Sequence, residues 1–336
     1  MRLRRSKPMG PGWHRRRRGR GFAYTDSDGA LLTDPVERQR ITDLVIPPAW
    51  RDVWICPYPN GHIQAIGTDD AGRRQYLYHE RWRSDRDEEK HERVLSLAPL
   101  LPDFRKELAR TMCEPGLRSE RVLATALHML DRGIFRVGGE AYAQDNGSHG
   151  VATLLRDHVT VRGTAVDFCF PAKSGIEFAR ELDDEPLARA VRSLQRSKAD
   201  TDRLLVYRKG SQWCEVRSDD LNERFKELVG EEYSVKDLRT WHATVQAAVA
   251  FARADRPESQ RGRRKVEAGV MREVAEELGN TPAVARKSYV DPRVVSAYAD
   301  GKTIRAAVKK AGRADPVSDR ARAVLEPAVV RLLKRA

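Results

Sequence analysis

Six residues whose side chains suit a phosphate-binding site occur in one order along the chain. They are Arg136, Lys173, Lys236, Arg239, Asn280 and Tyr289. An arginine can hold two phosphate oxygens at once, a lysine can supply a point charge or a proton, and an asparagine amide can donate a hydrogen bond. Taken singly, each residue has a commoner role at a turn, a helix cap, an ion pair or the core. The prediction therefore depends on the set and on its order.

The Lys-x-x-Arg pair lies at the start of a predicted helix. Ser234 and Asp237 have the spacing of a capping box. The apolar stripe that follows consists of Leu238, Trp241, Val245 and Val249. Lys236 and Arg239 therefore lie in or beside the first helical turn, where unpaired backbone N–H groups and the helix dipole favour an anion. The alternative is that Arg239 only pairs with a carboxylate.

Two of the six residues are predicted to lie at turns. Arg136 precedes Gly138-Gly139, and glycines let a backbone approach a ligand closely. The stretch 158–181 has the alternation of a small antiparallel sheet, and Lys173 lies at one of its hairpin tips. From this tip the lysine could reach into a groove. Solvated arginines and lysines are also common at turns, so each signal alone is weak.

The segment before Pro292 is predicted to form two helices. Apolar residues repeat every four positions up to Leu278, Gly279 ends the first helix, and Thr281-Pro282 begins the second. Asn280 lies in the joint and Tyr289 about two turns later. By default such an asparagine caps a turn, and such a tyrosine packs into the core with its hydroxyl at the rim.

Before residue 90 the pattern is different, with short β-prone runs separated by turn signals. Asp28-Gly29, Asn60-Gly61 and Ala71-Gly72 fit hairpin connections. The charged stretch "DRDEEKHER" suits a linker or the start of a helix. Beyond it the helical period dominates, as in "SERVLATALHMLDRG".

These patterns predict an α+β protein: a small, mainly antiparallel β domain, then a larger, mainly α domain with a small three-stranded sheet. We expect a basic disordered arm over residues 1–21 and the β-rich domain over 22–85. The mainly α domain should cover 86–336, with 300–336 as a basic helical tail.

Composition limits the partners and the location. The 336 residues carry a formal net charge of +13, which favours a polyanion such as nucleic acid over a solvated basic surface without a partner. The four cysteines are scattered without C-x-x-C pairing, so we expect no metal site and no disulfide framework. No stretch is long and apolar enough for a membrane span. We expect a cytoplasmic, nucleoid-associated protein.

Several motifs resemble those of type IB DNA topoisomerases, specifically the compact poxvirus-like branch found in bacteria. They are "GRRQYLYH", "FRVGGEAY", "FPAKSG", "KDLRTW" and "KSYVDP", and the resemblance extends from about residue 46 to 292. It implies that Tyr289 is the nucleophile, that Arg136 and Arg239 are catalytic arginines, and that Lys173 and Lys236 are catalytic lysines. Asn280 occupies the place of a histidine in the poxvirus and nuclear relatives, so only the role of hydrogen-bond donor is carried over.

The resemblance also implies DNA contacts. In the β domain it assigns to the DNA-reading segment the residues Arg73, Arg74, Gln75, Tyr76 and Tyr78. Glutamine can address adenine edges, and tyrosines can contact phosphates or thymine methyl groups. Tyr142, in "GGEAY", resembles a phosphate-contacting tyrosine.

The implied activity is relaxation of supercoiled duplex DNA by a monomer without ATP, metal or another cofactor. It proceeds through a 3′-phosphotyrosyl intermediate, strand rotation and religation. Two rival interpretations remain at this point. A tyrosine recombinase uses the same nucleophile but typically carries His-x-x-Arg and a helical front domain. A non-enzymatic architectural DNA-binding protein would need only the positive charge.

Overall fold

A computed structural model describes residues 2–8, 10–133, 135–172 and 175–335, without the side chain of residue 142. The chain divides into two compact units, Met1–Lys90 and His91–Ala336. The boundary between the two units, at Lys90 and His91, lies within helix α2, Glu80–Leu97. The charged stretch expected as a linker or helix start is therefore helical, and the proposed boundary between residues 85 and 86 falls inside this helix.

The first unit is built on a five-stranded antiparallel sheet with the strand order β2-β1-β3-β4-β5. Its elements are β1 Trp13–Arg18, β2 Gly21–Thr25, α1 Pro35–Asp43, β3 Arg51–Ile55, β4 Ile63–Thr68 and β5 Arg74–Tyr78. The connections at Asn60-Gly61 and Ala71-Gly72 lie between consecutive strands, and Asp28-Gly29 forms a turn after β2. Ile41 of α1 packs with Val53, Ile55 and Ala65 on one face of the sheet.

Strand β1 departs from the disordered arm expected over residues 1–21. Trp13 packs against the core of the sheet, and Arg15 donates hydrogen bonds to the carbonyls of Ile46, Pro47 and Trp50 at 3.1, 2.9 and 2.7 Å. The run "WHRRRR" lacks apolar alternation, so its strand character comes from pairing with β2 and β3, which local sequence cannot reveal.

The second unit is mainly helical, and this confirms the expected α+β class. Its helices are α3 Leu101–Met112, α4 Ser119–Gly133, α5 Glu140–Asn146, α6 Glu185–Gln195, α7 Ser218–Val229, α8 Val235–Arg253, α9 Gln260–Leu278, α10 Pro282–Ser288, α11 Pro292–Ala299, α12 Arg305–Ala311 and α13 Asp319–Leu333. Its strands are β6 Val159–Arg162, β7 Ala165–Pro171, β8 Glu177–Asp183, β9 Val206–Lys209 and β10 Gln212–Glu215. The predicted three-stranded sheet is β6-β7-β8, whereas the β9–β10 ribbon was not predicted.

Helix α8 is the central element of this unit. The backbone N–H of Ser234 donates to the Asp237 carboxylate at 2.9 Å, as the predicted capping box requires. The four residues of the predicted stripe are all buried, and so is almost every other side chain from Val235 to Ala252. Because α8 is enclosed on nearly all sides, it can hold catalytic side chains rigidly.

The region 300–336 is helical but is not an appended tail. Ala321, Leu325, Val329 and Leu333 of α13 are buried in the main core of the second unit. These apolar residues recur with a helical spacing but stand between charged residues, which concealed the stripe in the sequence. The C-terminal helix is therefore part of the catalytic unit.

A buried polar network joins α13 to the other helices. Asp131 of α4, which is 1% exposed, accepts hydrogen bonds from Arg105 of α3 at 2.9 Å and from Arg322 of α13 at 2.5 Å. His242 of α8 lies 3.1 Å from the same carboxylate. Burial alone would raise the pKa of Asp131, but the charges of Arg322 and Arg105 outweigh it and hold that pKa well below its ordinary value.

Asp131→Ala should lower the free energy of unfolding by about 3–5 kcal/mol, because it leaves buried arginine charges without their partner. Urea unfolding followed by tryptophan fluorescence measures the change. Because the pKa of Asp131 is depressed in the folded state, this contribution is present above the ordinary pKa of about 4 and is lost as the pH falls below it. The matched control is Asp103→Ala, which removes an exposed ion pair with Lys106 and should cost less than about 1 kcal/mol. Equal losses for the two variants would contradict a supporting role for the network.

Candidate active site

Tyr289 lies between two short helices, and a third helix holds its backbone. It caps the C-terminal end of α10, and its side chain is 8% exposed. The hydroxyl oxygen of Thr244 on α8 lies 3.3 Å from the carbonyl oxygen of Tyr289 and accepts a hydrogen bond from the backbone N–H of Asp291 at 3.2 Å. Pro292, expected to stop the helical run, begins α11 as its first residue, which suits its missing N–H. The backbone at Tyr289 is thereby fixed to the helix that carries Arg239.

Arg239 lies against the tyrosine. Its guanidinium carbon is 5.5 Å from the centroid of the Tyr289 ring, and the two side chains share a hydrogen bond. Its guanidinium also donates to the carbonyl oxygen of Leu278 at the end of α9. The Arg239 side chain is buried, since the residue is only 7% exposed.

Arg136 reaches the same place from the segment between α4 and α5. One of its nitrogens donates to the carbonyl oxygen of Gly279 at 2.9 Å and to the side-chain oxygen of Asn280 at 2.8 Å. Gly279 has a φ of 54°, so the left-handed residue that ends α9 presents its carbonyl to the arginine. Both predicted catalytic arginines thus bind the α9–α10 joint.

The glycines after Arg136 have a different purpose from the one expected. A Cβ placed on Gly150 would lie 2.4 Å from the backbone nitrogen of Gly138, so these two backbones are in direct contact. Val151 donates to the carbonyl oxygen of Arg136 at 2.9 Å. The sequence predicted a close approach between these glycines and a ligand. In the structure the close approach is between two segments of the chain, and it fixes the backbone of Arg136.

Asn280 is oriented by Arg136. Its side-chain oxygen accepts from the arginine, and its amide nitrogen lies 3.4 Å from the carbonyl oxygen of Leu278. Its backbone N–H donates to Ala275 at 2.8 Å. The amide N–H₂ group has a second hydrogen that could donate to a ligand. Its role as a donor to phosphate stays a prediction.

The charges around the phenol favour its ionised form. Burial raises the pKa of Tyr289, but the positive charges of Arg239, Arg136 and Lys236 outweigh burial and lower that pKa below its ordinary value. Burial, followed by the nearby charge of Arg136, lowers the pKa of Arg239 to about 10. A site that crowds cations around a buried phenol is suited to an anion such as a phosphate.

Of the other three predicted site residues in the second unit, the structure describes the side chain of only one. Lys236 is exposed in the first turn of α8, and its charge acts on Tyr289. Lys173 lies outside the described residues, in the connection between β7 and β8. Tyr142 lies in α5, and its side chain is likewise outside the description.

The predicted DNA-reading residues lie on and beside strand β5. Tyr76 and Tyr78 are 41% and 39% exposed, and their rings stack at a centroid distance of 6.1 Å. Arg74 shares their face by alternation. Gln75 points to the other face, where its amide donates to Asp69 at 2.9 Å. Arg73 precedes the strand and pairs with Asp69.

Sequence reasoning missed two residues near the site. Thr244 gave no signal, because a threonine inside a helix is common and only the fold brings it to Tyr289. Arg180 of β8 pairs with Glu277 of α9, and its charge contributes to the lowered pKa of Arg239. In the sequence, Arg180 is one of several charged residues that alternate along a strand, and nothing distinguishes it from the others.

A pocket of about 330 Å³ lies beside Arg136, Arg180 and Arg239.

The buried phenol of Tyr289 is hydrogen-bonded to the guanidinium group of Arg239, and the positive charge of Arg136 also acts on it. This arrangement defines a candidate site for phosphoryl transfer to tyrosine. Among the described residues no group of three or more His, Cys, Asp or Glu is arranged to hold a metal ion. In the same part of the chain no helix is long and apolar enough to cross a membrane.

Comparison with known proteins shows the family of the chain. Residues 79–314 match the family described as eukaryotic DNA topoisomerase I, catalytic core, and residues 21–69 match the bacterial DNA topoisomerase IB N-terminal domain. The DNA topoisomerase 1B of Acanthamoeba polyphaga mimivirus is 32% identical over 277 residues, which cover 80% of this chain and 81% of that protein. The chain belongs to the type IB DNA topoisomerases. The resemblance stated from the motifs is confirmed, and the recombinase and architectural interpretations are not supported.

Proposed function

We propose that this topoisomerase relaxes supercoiled duplex DNA through a covalent link between Tyr289 and a 3′-phosphate. The phenol attacks a backbone phosphorus atom, the bond to the 5′-oxygen breaks, and the energy of that bond is kept in the phosphotyrosyl ester. The cut strand can then rotate and be resealed without ATP. The observation that carries the proposal is the buried phenol of Tyr289, which lies 5.5 Å from the guanidinium carbon of Arg239 and is hydrogen-bonded to it. The lowered pKa of Tyr289 is consistent with this placement.

The arginines stabilise the transition state in this proposal. Negative charge grows on the nonbridging phosphate oxygens, and guanidinium groups fixed beforehand need little reorganisation to meet it. Arg136 and Arg239 now donate to the carbonyls of the α9–α10 joint. A phosphate entering the site would accept from the same groups. It would also relieve the repulsion from Arg136 that, after burial, lowers the pKa of Arg239. Because arginines supply this charge, the proposed chemistry needs no metal or other cofactor.

We assign the proton for the departing 5′-oxygen to Lys173, with Lys236 as a relay. An alkoxide is a poor leaving group, so a general acid accelerates its departure. The family resemblance supports Lys173, whose motif "FPAKSG" lies at the end of β7. Lys236 is supported by its position, since its charge reaches the phenol from an exposed turn of α8.

Strand β5 and its flanks would contact the duplex. The stacked, exposed pair Tyr76 and Tyr78 and the exposed Arg74 share a face of the first unit, which suits contact with bases and phosphates. We also assign DNA contact to Arg73, Gln75 and Tyr142. We propose that the first unit, residues 1–90, is the DNA-binding domain and that the second, residues 91–336, is the catalytic domain. These bounds replace the division expected from the sequence, at 22–85 and 86–336, because β1 belongs to the sheet of the first unit.

We further propose that the enzyme is a monomer that acts on DNA in the cytoplasm, associated with the nucleoid. The net charge of +13 supports the contact with DNA. Plasmid relaxation in EDTA without ATP tests the activity. The parent should relax positive and negative supercoils, because free rotation has no preferred direction. Strand exchange between paired sites instead of relaxation, or a strict need for a divalent cation, would contradict the proposal.

Asn280→Ala should slow cleavage about 10- to 100-fold, because one donor to the phosphate and one partner of Arg136 are both removed. Asn280→His should lose less, since an imidazole can donate a hydrogen bond at the same place. Single-turnover cleavage of a labelled duplex measures both rates. An alanine variant as fast as the parent would remove Asn280 from the site.

A further inference from the structure

Strand β1 lies outside both family matches, which cover residues 21–69 and 79–314. It is nevertheless an inner strand of the sheet, between β2 and β3. The strand reads "WHRRRR", and all of its residues from Arg16 onward are exposed. An inner strand of the sheet thus carries several exposed positive charges.

Cross-strand pairing shows which β1 residues share a face with the tyrosines of β5. His14 pairs with Trp54, Trp54 pairs with Ile66, and Ile66 pairs with Tyr76. Directly opposed residues in antiparallel strands point to the same face, and alternation then adds Arg16 and Arg18 of β1 to the face of Tyr76. Helix α1 packs on the opposite face, as the cluster of Ile41 with Ile55 and Ala65 shows.

The arginines of the two faces are used differently. Arg15 faces the α1 side and donates to the carbonyls of Ile46, Pro47 and Trp50. Arg16 and Arg18 are exposed on the tyrosine face, and within the described part of the chain they form no ion pair and no side-chain hydrogen bond. Two exposed cations with no protein partner are available to a ligand on that face.

The segment before β1 is fixed on the same face. The indole N–H of Trp54 donates to the carbonyl oxygen of Gly10 at 3.1 Å. The backbone N–H of Ser6 donates to a ring nitrogen of His62 at 2.8 Å. Because Trp54 belongs to the tyrosine face, these contacts hold the basic N-terminal segment on that face. Its positive charge adds to that of Arg16 and Arg18.

We propose that β1 is a phosphate-binding extension of the DNA-contacting face, with Arg16 and Arg18 binding backbone phosphates independently of sequence. The inference rests on the proposed DNA contacts of β5. Three strand spacings separate β1 from β5. This is ~14 Å across the sheet, a distance that corresponds to about four base pairs of duplex. The extension therefore binds phosphates flanking those near Tyr76.

The salt dependence of DNA affinity tests this site. Each lost phosphate contact makes the plot of log K against log salt less steep by about 0.9, so the double variant Arg16→Ala/Arg18→Ala should flatten the slope by about 1.8. Raising the salt concentration from 50 to 200 mM weakens the binding of both proteins. The factor by which the affinity falls should be about 10 times smaller for the double variant than for the parent. The probe is a blunt duplex with no special sequence, and thermal unfolding checks that both proteins are folded.

The matched control is Arg17→Ala/Arg38→Ala, which removes the same charge from the other side of the sheet. Arg17 alternates with Arg16, and Arg38 is exposed on α1. The slope for this control should stay within about 0.4 of the parental slope, since the two arginines that it removes contact no phosphate in the proposed complex. Equal flattening by both double variants would show a general charge effect, and a parental slope for Arg16→Ala/Arg18→Ala would exclude the contacts. Either result would overturn the inference.

Two further measurements separate this inference from the proposed function. Arg74→Ala should flatten the slope by about 0.9 if β5 binds DNA as proposed. A parental slope for Arg74→Ala would show that the β5 assignment is wrong, and the inference that rests on it would then fail too. If the parent relaxes plasmid and Arg74→Ala behaves as expected, a parental slope for Arg16→Ala/Arg18→Ala rejects the β1 site alone.

Discussion

Tyr289→Phe should abolish relaxation, with a loss of at least about 10⁴-fold, while duplex binding stays close to parental. The variant removes only the attacking oxygen and keeps the ring that packs beside Arg239. In the proposed mechanism this oxygen forms the covalent link, so the loss should appear in the cleavage step. Single-turnover cleavage and a gel-shift assay at the same salt concentration separate the two effects.

Tyr298→Phe is the matched control for this variant. Tyr298 is another buried tyrosine, stacked on Phe251, whose hydroxyl donates to the carbonyl oxygen of Asp255 at 3.2 Å. Its removal should leave the cleavage rate near the parental value. A covalent DNA adduct formed by Tyr289→Phe would show that another residue is the nucleophile.

Arg239→Ala should slow cleavage about 10²- to 10³-fold, because it removes a donor aimed at the transition-state phosphate. It should also change the pH dependence. The charge of Arg239 is the largest of the effects that lower the pKa of Tyr289, so that pKa should rise in the variant. The ionised fraction at a given pH then falls, and the rise of the cleavage rate with pH should move to higher pH.

Arg239→Lys distinguishes charge from geometry. Lysine keeps a positive charge but cannot present two parallel N–H donors, so the pH profile should partly recover while most of the rate loss remains. Arg256→Ala is the control, since Arg256 binds the carbonyls of Tyr298 and Ala299 at the end of α11. Arg239→Ala cleaving at the rate of this control would contradict a catalytic role for Arg239.

Local sequence signals predicted the elements around the site well. The capping box of Ser234 and Asp237, the Gly279 stop and the Thr281-Pro282 start all occur where expected. Each depends on neighbours within one helical turn, which is why the sequence reveals it. The order of the catalytic residues came from the resemblance to a known family.

Long-range contacts could not be predicted. The bond from Arg136 to Asn280 spans 144 positions, and the position of Thr244 beside Tyr289 exists only once α8, α10 and α11 have packed. Strand β1 and helix α13 are stabilised by partners far away in the chain, while their own composition is dominated by charge. Propensity and periodicity carry no information about such partners.

The most direct measurement identifies the residue that carries DNA after cleavage. A duplex that loses its 5′ fragment on cleavage traps the covalent complex in EDTA, and mass spectrometry of the protease-digested adduct locates the modified peptide. The account predicts a 3′-phosphate joined to the oxygen of Tyr289 in the peptide around "KSYVDP". DNA attached to any other residue, or relaxation that proceeds without a trapped adduct, would contradict it.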